Sequence, residues 1–202
     1  SSGLAAIAYF RSQSGSAFGS LKFAQCLDAG CTSKNVTTVD GVVTATNLGH
    51  YPSLALTSSG IHMIGYYDYA SSTYKFAQCL DAACSSKATT TVDTNDTPLP
   101  QESNRNLDVV SSTGFAMMAY GRSAAGPPMI FAQCTDAACT SRATTSLASA
   151  VDGLSLRVSP FDGLARIAYV DPAGGADTLK FIQCTNAACT TKNTNTVNPS
   201  ET

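Results

Sequence analysis

The chain has no tryptophan and only two histidines, His50 and His62; of its fourteen acidic residues only two are glutamate, Glu102 and Glu201. Charged side chains make up 13% of the 202 residues, and the formal net charge is −2. This leaves no basic surface of the kind that grips a phosphate backbone, so no nucleic-acid partner is expected. Long hydrophobic runs are missing too. Leu4–Phe10 is among the longest, far short of the roughly 20 residues of a membrane-spanning helix, so no membrane insertion is expected. A zinc centre needs four converging ligands, and the two histidines follow no ligand spacing, so no metal or cofactor is expected. There is no P-loop, dinucleotide fingerprint or Ser-His-Asp constellation. No signal peptide is visible, so the chain reads as mature or trimmed.

What is present points elsewhere. Hydrophobic residues make up 44% of the chain, too many for a disordered segment. The length suits one ordinary domain with a real core. Ser and Thr supply about a quarter of the residues, and the shortage of Glu disfavours helical surfaces, so the composition leans to β structure.

The eight cysteines fall into four C-x4-C pairs: Cys26/Cys31, Cys79/Cys84, Cys134/Cys139 and Cys184/Cys189. An even count in strict local pairs predicts four disulfides and an oxidising, extracellular location. The alternative is reduced or metal-bound thiols. A bridge across so short a loop contributes about 2 kcal/mol in the chain-entropy picture, and its role is to lock a hairpin tip.

The pairs mark an internal repeat. One segment reads LKFAQCLDAGCTSK (21–34), YKFAQCLDAACSSK (74–87), MIFAQCTDAACTSR (129–142) and LKFIQCTNAACTTK (179–192). Upstream stand GLAAIAYFR (3–11), GIHMIGYYD (60–68), GFAMMAYGR (114–122) and GLARIAYVD (163–171). Alternating runs precede three of these: SLALTSSG (53–60), LDVVSSTG (107–114) and SLRVSPFDG (155–163). Thr-rich runs follow the cysteines: NVTTVD (35–40), ATTTVD (88–93), ATTSLA (143–148) and NTNTVN (193–198). Each unit therefore predicts four short strands, A to D, within units of about 1–40, 41–93, 94–148 and 149–198 of a single repeat domain over 1–202. The first unit lacks its strand A.

Strand B is apolar on both faces, with Ile7, Ile64, Met118 and Ile167 on one side beside Tyr9, Tyr66, Tyr120 and Tyr169. A sheet of that kind must be sandwiched between neighbours. The predicted fold class is all-β: a β-propeller of four four-stranded blades, with a linear stack of β-sheets as the alternative. The missing strand leaves three possibilities: a ring short of one strand, a fragment of a larger propeller, or a sheet that accepts a strand from another copy through its open edge.

The C–D turn resembles the Asp-box of BNR-repeat propellers, S/T-x-D-x-G-x-T-W, known from sialidases and other secreted propellers. In the first unit Asp28, Gly30 and Thr32 fit the pattern. The other units carry Asp81, Asp136 and Asn186 at the acidic position, Ala83, Ala138 and Ala188 in place of the Gly, and no unit has the Trp. The resemblance covers about eight residues per unit and implies a propeller. Sialidases add an arginine cluster, a Tyr–Glu nucleophile pair, an acidic Asp and an [F/Y]-R-I-P motif; the nearest string here is Tyr9-Phe10-Arg11-Ser12.

Asp28, Asp81, Asp136 and Asn186 are expected to close Asx turns, because Asn cannot ionise and would not replace a catalytic or metal-binding Asp. Gln25, Gln78, Gln133 and Gln183 are expected to tie neighbouring units through backbone groups. Lys34, Lys87, Arg142 and Lys192 recur as solvated hairpin flanks. Units differ most at the B–C end, where propellers often bind ligands, so Arg11, Tyr67, Asp68, Tyr69, Arg122 and Asp171 are the binding candidates. Two N-glycosylation triplets occur, Asn35-Val36-Thr37 and Asn95-Asp96-Thr97. The expected function is a non-catalytic extracellular binding or adhesion module whose partner is a glycan or another extracellular protein. One alternative is a subunit that assembles with itself into a filament or surface layer; another is a fragment of a sialidase-like glycoside hydrolase.

Overall fold

A computed structural model describes residues 3–12, 19–41, 48–94, 107–112, 114–122, 129–149, 151–172 and 177–198. The triplet Asn95-Asp96-Thr97, most of the B–C loops and the 199–202 tail lie outside these residues.

All regular structure among the described residues is β-strand, in four antiparallel sheets. The first sheet holds β1 (Ala6–Ser12), β2 (Gly19–Cys26) and β3 (Lys34–Asp40). The second holds β4 (Leu48–Leu56), β5 (His62–Asp68), β6 (Thr73–Cys79) and β7 (Lys87–Thr94). The third holds β8 (Leu107–Ser112), β9 (Phe115–Gly121), β10 (Met129–Cys134) and β11 (Arg142–Ala148). The fourth holds β12 (Gly153–Val158), β13 (Ala165–Asp171), β14 (Thr178–Cys184) and β15 (Lys192–Asn198). Each sheet is a meander in chain order, one sheet per repeat unit. The first has three strands among the described residues, with β1 in the place of the second strand elsewhere.

Each cysteine is bonded to its near neighbour in sequence. The disulfides are Cys26–Cys31, Cys79–Cys84, Cys134–Cys139 and Cys184–Cys189, with Cα atoms 4.6 to 4.8 Å apart. No cysteine is left as a thiol. The first member of each pair ends a strand and the second sits in the turn. Cys84, Cys139 and Cys189 are fully buried, while Cys31 in the first unit is partly exposed. The difference follows from packing: Cys84, Cys139 and Cys189 each join a core between two sheets, and among the described residues no sheet covers Cys31.

The turn conformation is the same in all four. Cys31, Cys84, Cys139 and Cys189 each take a left-handed backbone, φ 53 to 56°, which an L-residue adopts only when its surroundings hold it there. Two constraints do so besides the sulfur bridge. Each of these cysteines donates its N–H to the carbonyl three residues back, at 3.1 to 3.2 Å. The side chain of that same residue closes the rest of the loop. Asp28 Oδ1 accepts the Thr32 N–H at 3.0 Å, and its Oδ2 accepts the Thr32 hydroxyl at 2.9 Å and the Ser33 N–H at 2.5 Å. Asp81 binds Ser85 and Ser86 in the same way, and Asp136 binds Thr140 and Ser141. Asn186 keeps part of the pattern: its Oδ1 accepts the Thr190 N–H at 3.0 Å, while its Nδ2 donates to the Thr190 hydroxyl at 2.6 Å, the reverse of the Asp turns. These donors pull the three carboxyls below their ordinary pKa, Asp81 to about 2, with the Ser85 hydroxyl the largest cause there. All four side chains are thus structural turn closers.

The sheets pack face to face in chain order, and the same positions meet each time. Leu21, Phe23 and Val39 of the first sheet pack against Ile64, Tyr66, Ala77 and Cys79 of the second. Met63, Tyr67, Tyr74, Phe76 and Val92 of the second pack against Met118, Tyr120, Ala132 and Cys134 of the third. Met117, Met129, Phe131 and Leu147 of the third pack against Ile167, Tyr169, Ile182 and Cys184 of the fourth. The first strands β4, β8 and β12 lie next to one another in that order. No comparable packing joins the first and fourth sheets among the described residues.

Burial follows from position in this row. Every residue of β5 is buried, and so is Ala116–Tyr120 of β9, because both strands have a sheet on either side. In β13 burial alternates, and β1 is at best half-buried despite the same apolar pattern. Burial on both faces of strand B therefore holds for the two middle units only. One glycine is required by this packing: at Gly49, where φ is 92°, an added Cβ would lie 2.5 Å from the Leu21 Cβ.

A testable consequence concerns the hairpin locks. Replacing Cys134 and Cys139 together by Ala is expected to lower unfolding stability by about 2 kcal/mol in urea denaturation, through loss of the short-loop constraint.

Candidate functional site

The last strand of each sheet carries a β-bulge at one place. Leu21 faces Asp40 and Lys22 faces Thr38, so Val39 is the extra residue; Val92, Leu147 and Val197 repeat this. A bulge re-aims the side chains beside it. It turns Val39 into the interface and sends Asp40 across to the next sheet. There Asp40 Oδ2 accepts the Tyr66 hydroxyl at 2.5 Å and Lys75 Nζ at 2.7 Å. In the next interface Asp93 Oδ2 accepts the Tyr120 hydroxyl at 2.9 Å and Arg122 Nε at 2.8 Å, and Arg122 Nη2 bonds Asp93 Oδ1. Burial and the nearby carboxylate push both tyrosines well above the ordinary phenol pKa, so each stays a hydroxyl donor. In the third interface Ala148 takes the place of the Asp.

The cation changes strand between interfaces. Lys75 lies on β6; its counterpart on β10 is Ile130, and Arg122, just beyond β9, supplies the charge instead. Further bonds cross between sheets. Thr90 and Thr145 hydroxyls donate to the Ala138 and Ala188 carbonyls at 2.7 and 2.8 Å. Lys87 Nζ donates to the Thr38 carbonyl at 2.7 Å, and the Tyr74 hydroxyl donates to the Gly121 carbonyl. Gln25, by contrast, stays within its own sheet, where Nε2 donates to the Ala5 and Cys26 carbonyls.

The six binding candidates do not form one cluster. Tyr67 and Asp68 are buried. Asp68 caps the β5–β6 turn, accepting the Ala70 and Ser71 N–H groups at 2.9 and 3.3 Å and the Ser71 hydroxyl at 2.5 Å. Half-buried Tyr69 meets Tyr67 edge-on at 4.9 Å and bonds the Tyr51 hydroxyl at 3.1 Å. These rings belong to an aromatic row across three sheets: Phe10, His50, Tyr69, Tyr67, Tyr74 and Tyr120, with successive centroids 3.8 to 4.9 Å apart. Burial holds His50 below the ordinary imidazole pKa, which favours its neutral ring. Asp171 pairs with Lys180 at 2.5 Å. Arg11 is exposed at the end of β1.

Of the six, Arg122 lines a cavity. Between the outer strands of the second and third sheets runs a groove of about 540 Å³, lined by Val92, Asp93, Arg122, Ile130, Thr140, Ser141, Arg142, Thr144, Thr145 and Ser146. Residues 142, 144 and 146 share one face of β11, so strand geometry sets their side chains in a row along the groove. Arg142 Nη1 bonds only weakly to the Cys139 carbonyl at 3.4 Å. One carboxylate against two guanidiniums leaves the groove with a local positive charge. By its place in the repeat Arg142 is a solvated hairpin flank; the order of the sheets sets it opposite a neighbour instead.

Two consequences can be measured. Tyr120→Phe is expected to cost about 2 kcal/mol in urea unfolding, since it strips a hydrogen bond from a carboxylate; Tyr169→Phe, with Ala148 opposite, is expected to cost much less. The second concerns acid. Burial pushes the Asp40 carboxyl up, but the Lys75 and Tyr66 hydrogen bonds and the Lys75 charge outweigh it, and its pKa lies below the ordinary value. Its stabilisation is therefore complete above the ordinary carboxylate range and is lost as pH falls through the lowered folded value. Thermal unfolding from pH 7 to pH 2 is expected to show Asp40→Asn less stable at neutral pH, with a smaller loss on acidification.

The chain matches no protein-family model and no curated protein.

Proposed function

We propose that the chain is a non-catalytic extracellular binding module of β-propeller type, and that the groove between its second and third sheets takes a carbohydrate bearing a carboxylate. The observation that carries this is the lining of the groove over about 540 Å³: two arginines, one aspartate, and Thr144 and Ser146 on the strand face that meets the second sheet. Hydroxyls that both donate and accept suit a polyol, and a guanidinium presents a planar fork to a carboxylate.

The propeller reading draws on the chain-order meander of each sheet, the adjacency of β4, β8 and β12, and repeated face-to-face packing. The four disulfides support the extracellular location. The non-catalytic reading draws on the employment of the carboxylates. Asp28, Asp81 and Asp136 close turns, Asp40 and Asp93 bridge sheets, Asp68 caps a turn, and Asp162 and Asp171 pair with Arg166 and Lys180. Glycoside hydrolysis needs two carboxyls held at a set separation across one bond.

The test is calorimetric titration with a panel of acidic and neutral oligosaccharides. Saturable binding of an acidic member is expected, weakened at least about tenfold by Arg142→Ala, which removes a charge-assisted hydrogen bond. Lys34→Ala, at the matching position of the first unit, is expected to bind as the parent does. No saturable binding across the panel, or binding untouched by Arg142→Ala, contradicts the groove; turnover of a sialoside contradicts the non-catalytic reading.

A further inference from the structure

The three internal interfaces define what each face of a unit is for. On the face that meets the preceding unit, Ile64, Met118 and Ile167 are each 0% exposed, whereas Ile7 at the same position of the first unit is 46% exposed. On the face that meets the following unit, Val39, Val92 and Leu147 are 3%, 2% and 9% exposed, whereas Val197 is 57% exposed. Leu21, Tyr74 and Met129 are buried at 0%, and Leu179 in the fourth unit is 39% exposed. The molecule therefore carries two apolar faces at opposite ends of its row of sheets. One has the composition of a face that receives a unit, the other that of a face that docks onto one.

We infer that these two end faces are an interface between copies of this chain, the first sheet of one copy seating on the fourth sheet of another. The internal interfaces supply the pattern, and the polar residues complete it. Tyr9 stands where Tyr66 and Tyr120 donate to Asp40 and Asp93, and Asn198 stands in the place of those aspartates. The Asn198 side-chain oxygen accepts the Tyr9 hydroxyl. Arg11 matches the position of Arg122 and Lys22 that of Lys75, the two cations that serve the internal bridges. Asn195 matches Thr90 and Thr145, whose hydroxyls reach the next hairpin carbonyl; an Asn amide donates equally well to the Gly30 carbonyl that lies at that point. An uncharged acceptor facing two cations leaves this joint weaker than the Asp-based ones, so it is expected to depend on concentration. The contact is head to tail: two copies that close on each other form a ring of eight units, and copies that do not close form a filament. It uses faces of the sheets, not a donated strand, and it stands apart from the groove.

The test is light scattering on the non-reduced 202-residue chain after size exclusion across a wide concentration range, with Ile7→Glu and Val197→Glu alongside. The parent is expected to exceed the monomer mass of 20.8 kDa as concentration rises. Each variant is expected to remain at that mass while keeping its parent's circular dichroism, because both substitutions lie on exposed surface of the single chain. An equimolar mixture of the two variants retains one intact joint and is expected to give pairs at twice 20.8 kDa and nothing larger. A parent that stays monomeric at every concentration overturns the inference. So does an assembly that survives both substitutions, or a Tyr9→Cys/Asn198→Cys crosslink that forms within a single chain.

Discussion

A sheet that is apolar on both faces cannot stand in water, and nearly everything in this protein follows from how that is met. The unit repeats Phe and Cys on the strand that leads into the cysteine hairpin and an aliphatic residue and Tyr on the strand before it, so the two faces differ but complement each other. Stacking units in chain order buries one face on the next, three times over. The consequence is largest in the middle: β5 is wholly buried, while β1, with the same pattern, is not. Burial of an apolar side chain contributes about 1.5–3 kcal/mol, so the interior units owe their stability to neighbours more than to themselves. Among the described residues the outer faces of the first and fourth sheets have no neighbour, and Ile7 and Val197 are exposed there.

Polar chemistry then fixes the spacing of the row. A bulge near the end of the last strand of each sheet leaves one residue out of the ladder, and where the residue after it is Asp, that side chain grips a Tyr and a cation of the next sheet. The bridge recurs with different partners: Lys75 serves in one interface and Arg122 in the next, and each leaves its strand position apolar or differently charged in the other. The hairpins are held separately, by an Asx turn and a disulfide at every tip. Along the outer strands of the second and third sheets, beside the Asp93–Arg122 bridge, runs the groove of about 540 Å³.

Much of this was legible in the sequence because it is periodic. Four copies of one segment make strand order, hairpin position and disulfide pairing visible, and Asn186 in a place otherwise held by Asp marks that position as a turn. The partial exposure of Cys31, against the burial of Cys84, Cys139 and Cys189, was not visible there, because it depends on which units have a neighbour. The bridges were not legible either. Asp40 and Asp93 are single acidic residues at the ends of Thr-rich runs, absent from the other two units, and their partners lie in the next unit at no fixed spacing from a motif. The binding candidates were drawn from variability at the B–C end. In the structure Asp68 caps a turn, Asp171 pairs with Lys180, and Arg122 bridges to Asp93 while lining the groove. Arg142 passed as a hairpin flank because its significance depends on which sheet stands opposite.

The central claim, that the two middle units are held by neighbours on both faces, is tested most directly by hydrogen exchange, strand by strand, in chains diluted to monomers. Amides of β5 and β9 should be the slowest of all, approaching the rate set by global unfolding, and those of β1 and β15 should exchange well before them. If β1 and β15 were as slow as β5 and β9 under those conditions, both end faces would be covered within a single chain, and the account of an open row of units would be wrong.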